Sequence, residues 1–187
     1  MNDRLNSVET QINPAALENE TLGFLLAYWN GKRGTRAMPS RGDIKASELK
    51  EHLGWVMLVE VLPGITDFRY RLMGTLVTTY FFKDSTGKTV NEIYSGFNEA
   101  AGKGVSAIFR KCARDKAIVH ARGDSGWIGR GYEPFECICL PLSDDGETVN
   151  MILHAFVFDK QSVMLAREIA RANGGEIIDV PPTRTVV

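Results

Sequence analysis

Three strand-like segments follow one another in residues 117–158 with no helix between them. They are Ala117–Ala121, Tyr132–Leu142 and Thr148–Phe158, and each is rich in apolar and β-branched residues. Parallel neighbours need a crossover of a dozen or more residues, so segments this close together are expected to pair as antiparallel strands. Asp145-Gly146 supplies the positive φ that a tight turn between the last two strands requires. This run of closely spaced strands excludes a doubly wound parallel sheet.

A second pair of strands is predicted upstream. Trp55–Leu62 and Asp67–Met73 lie on either side of Pro63-Gly64, which is a turn signal. In the second strand Phe68, Tyr70 and Leu72 alternate with two arginines, so one face is expected to be buried and the other to meet solvent or a carboxylate. Together the segments predict an α+β architecture, with an antiparallel sheet of about five strands and helices packed over one face.

Helical periodicity marks the remaining segments. The predicted helices are Ala15–Asn30, closed by Gly31, then Thr75–Phe82, Asn98–Arg114 and Gln161–Ala172. Gly102 and Gly104, inside the third of these, indicate a helix start or a site of close packing. Leu22, Leu25 and Trp29 form a wide apolar face on the first helix. Two partners for that face stay open: the chain's own sheet, or another protein, which would make these residues an interface.

Composition excludes several classes of function. The chain has 187 residues and a net charge of −1, too short for a multi-domain enzyme and without the clustered Lys and Arg that a nucleic-acid partner needs. The longest apolar stretches, Leu22–Trp29 and Met151–Phe158, fall short of the ~20 residues of a membrane helix, and the first twenty residues lack a signal peptide's apolar core. The three cysteines lie in apolar runs, which favours a reducing compartment. We therefore expect a cytoplasmic protein without a membrane partner.

Short motifs that suggest an active site have stronger structural interpretations. Asp84–Thr89 ends like a phosphate-binding P-loop, but Phe82 stands where the first glycine is required. The glycine-laden segment Gly123–Gly131 joins two strands and opens no helix, which favours a hairpin loop over an anion site. Cys137-x-Cys139 has the wrong spacing for the common zinc sites and favours small buried apolar residues. No catalytic residue and no metal ligand is predicted.

Four segments of the chain together resemble one known family. They are Tyr28-Trp29, Pro39-Ser40-Arg41-Gly42-Asp43-Ile44, Asp67–Thr75 and Thr86-Gly87-Lys88. Residues 20–158 resemble a group of bacterial single-domain PAS proteins, in which a tryptophan-bearing N-terminal helix and a P-S-R-x-D-I segment precede a strand ending in F-R-Y-R-L-x-G-T. The chain departs from the pattern at Tyr80–Asp84, where a glycine and a smaller turn are expected.

The resemblance implies a PAS-like fold. Its core is a five-stranded antiparallel sheet in the order 2-1-5-4-3, flanked by helices that enclose a cavity, with an N-terminal helix often packed on the outer sheet face. On that basis the chain divides into a flexible leader (1–14), an N-terminal helical extension (15–53), a PAS core (54–159) and a C-terminal helix and tail (160–187). PAS domains are sensor and interaction modules, so the resemblance implies a non-enzymatic role.

Candidate cavity-lining residues follow from strand parity within that fold. They are Phe68, Tyr70, Leu72, Ile108, His120, Phe135, Cys137, Cys139, Met151 and Leu153. Tyr70 and His120 are favoured for orienting a ligand because buried polar groups need partners, while plain core packing is the alternative for each residue. The cofactor is unknown: the N-C-R-F-L-Q segment of flavin-binding LOV domains is missing, and only His120 keeps haem as a minor option.

The functional expectation is a sensory domain that acts by protein contact. We expect a homodimer that acts in trans on a signalling protein partner, because no transmitter domain fits in 187 residues. A small-molecule ligand in the core cavity is expected to gate these contacts. Two alternatives stay open: a small-molecule enzyme on a cavity-bearing α+β fold, and a ligand-free structural adaptor.

Overall fold

The computed structural model describes residues 5–9, 17–81, 83–96, 98–124 and 134–158. In chain order the elements are β1 (Leu5–Glu9), α1 (Glu20–Arg33), α2 (Ala46–Leu49), β2 (Val56–Val61), β3 (Phe68–Met73), α3 (Thr75–Phe81), α4 (Val90–Tyr94), α5 (Glu99–Asp115), β4 (Val119–Asp124), β5 (Pro134–Leu142) and β6 (Met151–Phe158). Short 3-10 helices lie at Arg41–Asp43, Lys50–Trp55 and Pro63–Ile65. The predicted closing helix Gln161–Ala172 lies outside the described residues, as does most of the Gly123–Gly131 loop.

The six strands form one antiparallel sheet in the order β1-β4-β5-β6-β2-β3. Both predicted hairpins are present, since β2 pairs with β3 and β5 pairs with β6. β6 then pairs with β2 and places the two hairpins side by side. When the strands are counted from β2, the five core strands have the order 2-1-5-4-3, so the predicted α+β fold is confirmed.

The N-terminal segment differs from the expected loose leader. Leu5–Glu9 is a strand that pairs with β4, with Val8 opposite Ala121 and Glu9 opposite His120. The prediction of a flexible leader is therefore wrong for these five residues. The segment has no period-2 alternation of its own, and the free edge of β4 supplies the hydrogen-bonding partners that order it. A local sequence pattern cannot show such an edge.

α1 begins and ends three or more residues later than predicted. Asn19 caps its first turn by accepting a hydrogen bond from the Thr21 amide at 2.9 Å. The helix continues through Gly31 and ends before Gly34, which has a φ of 57°. No described helix is long and apolar enough to cross a bilayer.

The sheet has two differently covered faces. Directly opposite residues of antiparallel strands point to the same side, so Cys139 of β5 shares a face with His154 of β6. Phe109 of α5 packs edge-on against the His154 ring, with centroids 5.1 Å apart. We call this side, under α5, the inner face. The opposite side, which carries Ile138 of β5 and the apolar residues of α1, is the outer face.

α1 packs on the chain's own sheet. Leu22 and Leu25 are 0% exposed and Trp29 is 4% exposed. The Trp29 indole Nε1 donates a hydrogen bond of 2.8 Å to the Pro141 carbonyl of β5. Of the two partners left open by the sequence, the structure shows the sheet. These three side chains therefore offer no exposed interface in this conformation.

The structure explains why glycine stands at position 74, at the end of β3, within the segment Asp67–Thr75. A Cβ atom there would overlap the backbone oxygens of Leu53 and Gly54. Only glycine allows β3 to approach the preceding 3-10 helix this closely. The contact packs the end of β3, just before the start of α3, against that 3-10 helix.

Candidate functional site

The structure brings half of the predicted lining residues together on the inner face. Phe68 and Tyr70 of β3 lie there with Phe135, Cys137 and Cys139 of β5, since their strand partners share that side. All five are buried. Ile108, on α5, belongs to the same hydrophobic core. On β5, the three residues that strand parity groups together lie on one side of the sheet.

Leu72 does not share the inner face with Phe68 and Tyr70. The register shifts between Leu58 and Val59, so Val59 pairs with Tyr70 while Leu58 pairs with Leu72. Such a bulge inserts an extra residue and turns the rest of the strand over. Leu72 consequently lies on the outer face, where it is 36% exposed. The predicted common face is wrong for this residue.

Three further predicted residues also lie on the outer face. His120 is opposite Ile138, Leu153 is opposite Leu140, and Met151 is opposite Leu142. They share the side covered by α1 and cannot line one cavity with Tyr70 and the cysteines. Strand parity groups the residues of one side but does not tell which side faces α5, and this is why the predicted set mixes the two faces.

His154 is the inner-face polar residue that the sequence reasoning missed. Its Nδ1 lies 2.8 Å from the Ile138 carbonyl oxygen and 3.3 Å from Cys139 Sγ. Burial lowers the pKa of His154 to about 4, so the ring is neutral at pH 7. A carbonyl can only accept, so Nδ1 carries the proton and Nε2 carries a lone pair. The sequence signal for this residue was its alternation with Ile152 and Phe156. These three residues share one face of β6, and Leu153 lies on the other.

Aromatic rings surround this histidine on the inner face. The Phe109 ring lies 5.4 Å from Phe68 and 6.1 Å from Tyr70, in tilted and edge-on geometry. Burial, and to a lesser degree Tyr94 and the neighbouring cysteines, raise the pKa of Tyr70 well above its usual value, so its hydroxyl keeps its proton. The inner face thus provides a hydroxyl donor and an imidazole acceptor among aromatic surfaces. Neither group is poised for acid–base catalysis near neutral pH.

The three cysteines are buried free thiols. Burial raises the pKa of Cys137 to about 12 and shifts the pKa of Cys112 and Cys139 upward as well. Protonated thiols are poor nucleophiles and poor metal ligands. Among the described residues no group of three or more His, Cys, Asp and Glu side chains is arranged to hold a metal ion.

A charged cluster lies on the outer face beside the start of α1. His120 Nε2 is 2.7 Å from Glu136 Oε1, and both side chains are largely buried. The Arg122 guanidinium donates to the same Glu136 oxygen and, through another nitrogen, to Glu18 at 3.1 Å. His120, predicted as a ligand contact in the core, instead contacts Glu136 in a polar network that joins β4, β5 and the residues that precede α1.

Comparison with known proteins identifies the family. Searches of curated proteins and of solved structures returned no significant match. A family model described as a PAS domain matches residues 17–157, which is most of the chain. The match covers α1, the five core strands and the helices between them. By this match and by its strand order, the chain belongs to the PAS-domain family.

Proposed function

We propose that this chain is a sensory domain in which a small molecule on the inner face gates protein contacts made in trans. The observation that carries the proposal is His154, a neutral imidazole whose Nδ1 is held by the Ile138 carbonyl. In this neutral tautomer the acceptor lone pair of the ring is on Nε2. Fixed polar groups among apolar and aromatic surfaces are typical of small-molecule sites.

The chemistry of the inner face favours an uncharged ligand. Tyr70, Phe109 and His154 are neutral at pH 7, and burial would penalise an unpaired charge among them. A ligand with a planar body and a hydrogen-bond donor for Nε2 satisfies both the rings and the imidazole. The Tyr70 hydroxyl would supply the reciprocal donor.

The proposed output is a change in contacts with a second copy or with a signalling partner. The family supports this because PAS domains serve as sensors and interaction modules. We also propose a cytoplasmic location, which the three free buried thiols support because such thiols persist in reducing compartments.

The test is native mass spectrometry of the full chain after incubation with a low-molecular-weight cell extract and removal of unbound molecules. We expect a mass increase that His154→Asn abolishes. His52→Asn is the matched control, since His52 lies by α1 and contacts Thr21 instead of the inner face. No adduct with any extract, or an adduct that persists in His154→Asn, would contradict the proposal.

A ligand-free adaptor is the second candidate, and the packing of the inner face favours it. The Tyr80 and Phe158 rings stack with centroids 3.4 Å apart, and Phe135 stacks on Phe156 at 4.5 Å. Rings packed this closely leave little room at that end of the sheet. The same mass measurement separates the candidates, because the adaptor predicts the unmodified mass under all conditions.

A further inference from the structure

A row of leucines crosses the outer face of the sheet and ends at the edge strand β3. From β5 through β6 and β2 to β3, the residues opposite one another are Leu140, Leu153, Leu58 and Leu72. The two leucines on β5 and β6, the strands on which α1 packs, are fully buried. Further along the row Leu58 is 6% exposed and Leu72 is 36% exposed. The apolar row therefore continues beyond α1 and reaches the surface.

The bulge in the β2–β3 hairpin places Leu72 at the end of this row. Tyr70 is opposite Val59 and Leu72 is opposite Leu58, so Arg71 is the extra residue on β3. In a regular strand Leu72 would share the inner face with Tyr70. The bulge turns it to the outer face instead, and of the large apolar side chains in the described ranges Leu72 is the exposed one.

Charged groups of both signs lie beside Leu72 on the hairpin. Arg69 is opposite Glu60, and its guanidinium lies 3.6 Å from Glu60 Oε2. The Arg71 guanidinium lies 3.9 Å from the same oxygen. Both distances exceed the roughly 3.2 Å of a good N–H···O hydrogen bond. The three side chains are 34% to 56% exposed, and such pairs contribute roughly 0–1 kcal/mol, so they leave these groups able to bind a further partner.

We propose that two copies of the chain meet at the hairpin patch, which consists of Glu60, Arg69, Arg71 and Leu72. An apolar side chain beside charges of both signs is complementary to itself, as the interface of a two-fold symmetric dimer has to be. In such a pair each Leu72 is covered by the other copy, and each Glu60 meets the Arg71 guanidinium of the other copy. A purely acidic partner fits less well, because Glu60 lies beside both guanidinium groups and would repel it.

The size of the hairpin patch indicates a weak and reversible dimer. Stable complexes bury roughly 800 Å² per partner, and four side chains of one hairpin provide much less. The patch gives the proposed output its second copy, so its part in signalling rests on the proposed function. The contact between the copies itself needs no ligand on the inner face.

The test is sedimentation velocity of the full chain from about 10 µM to about 1 mM, the range in which small interfaces associate. We expect a dimer fraction that rises with concentration. Leu72→Ala should weaken the dimer about tenfold, because both copies lose an apolar contact. Arg71→Glu should weaken it about tenfold or more, because carboxylates then face each other. Arg114→Glu, the same charge reversal at the exposed end of α5, should change nothing.

An exchange of charges between copies makes the test specific to the hairpin patch. Glu60→Arg alone should also be monomeric, because its arginines then face arginines. When the Arg71→Glu and Glu60→Arg variants are mixed in equal amounts, we expect a heterodimer, since each carboxylate now meets a guanidinium of the other copy. Circular dichroism of each variant checks that it is folded.

Four results would overturn the proposal: a monomer at about 1 mM, a dimer that Arg71→Glu and Arg114→Glu weaken equally, a dimer that Leu72→Ala leaves unchanged, or two folded charge variants that do not associate when mixed. Leu72 is exposed, so Leu72→Ala tests the patch even if a charge variant does not fold. An inner-face adduct that His154→Asn abolishes is a separate result, because it concerns a ligand and these measurements need none.

Discussion

Two glycines in α5, two residues apart, are expected to respond in opposite ways to alanine. Alanine is better than glycine in a helix by about 1 kcal/mol. At Gly104 a Cβ atom meets nothing within 4 Å, so Gly104→Ala should raise the free energy of unfolding by about 0.5–1 kcal/mol. At Gly102 the new Cβ would lie 2.7 Å from Tyr94 Cβ, which is too close to the α4 backbone to move freely.

Overpacking of this kind costs about 1–3 kcal/mol, which outweighs the gain in helix propensity. We therefore expect Gly102→Ala to be less stable than Gly104→Ala by about 1–3 kcal/mol. Urea unfolding followed by circular dichroism at 222 nm measures both, with equal denaturant slopes as the check for a common unfolded state. If the two variants are equally stable, α4 does not pack against α5 as described, and the reasoning fails.

Three further predictions concern the core. In the unfolded chain His154 takes up a proton near pH 6.5, whereas in the folded chain it stays neutral down to about pH 4, so the protein should lose about 3 kcal/mol of stability between pH 7 and pH 4 through this residue. His154→Asn keeps an N–H donor but does not titrate, so urea unfolding of this variant should lack that part of the loss. Equal pH profiles of the variant and the natural chain would refute this prediction. Trp29→Phe leaves the Pro141 carbonyl without its indole donor and should cost about 2 kcal/mol in urea unfolding; a change below about 0.5 kcal/mol would contradict the docking of α1. Gly74→Ala places a Cβ against the backbone oxygen of Gly54 and should cost more than about 2 kcal/mol, whereas a melting temperature equal to that of the natural chain would show that the contact is not close.

The strands and their pairing could be predicted because they depend on local signals. Turn residues at Pro63-Gly64 and Asp145-Gly146 separate the strands of each hairpin, and short connections leave antiparallel pairing as the only choice. The spatial order of the strands came from the resemblance and is confirmed. The edge strand Leu5–Glu9 was missed because its partner is the free edge of β4, which lies more than a hundred residues away.

The candidate site was predicted less well because it depends on which face of each strand meets α5. Parity identifies residues that share a side, but it does not state which side is covered. His154 and Leu153 are neighbours in sequence, and the structure places them on opposite faces. A bulge next to Leu58 reverses Leu72 in the same way. Neither the register shift nor the position of α5 is encoded in a local pattern, so His154 was overlooked.

The state of the His154 ring tests the proposed sensing role most directly. Long-range ¹H–¹⁵N NMR of the full chain with ¹⁵N-labelled histidine, assigned with His154→Asn, reports which ring nitrogen holds the proton. We expect the proton on Nδ1, no protonation of the ring between pH 7 and pH 5, and a shift of the Nε2 signal when a small-molecule extract is added. Three results would contradict the proposed sensing role: a proton on Nε2, a ring that is charged at pH 6, or an Nε2 signal that no extract shifts.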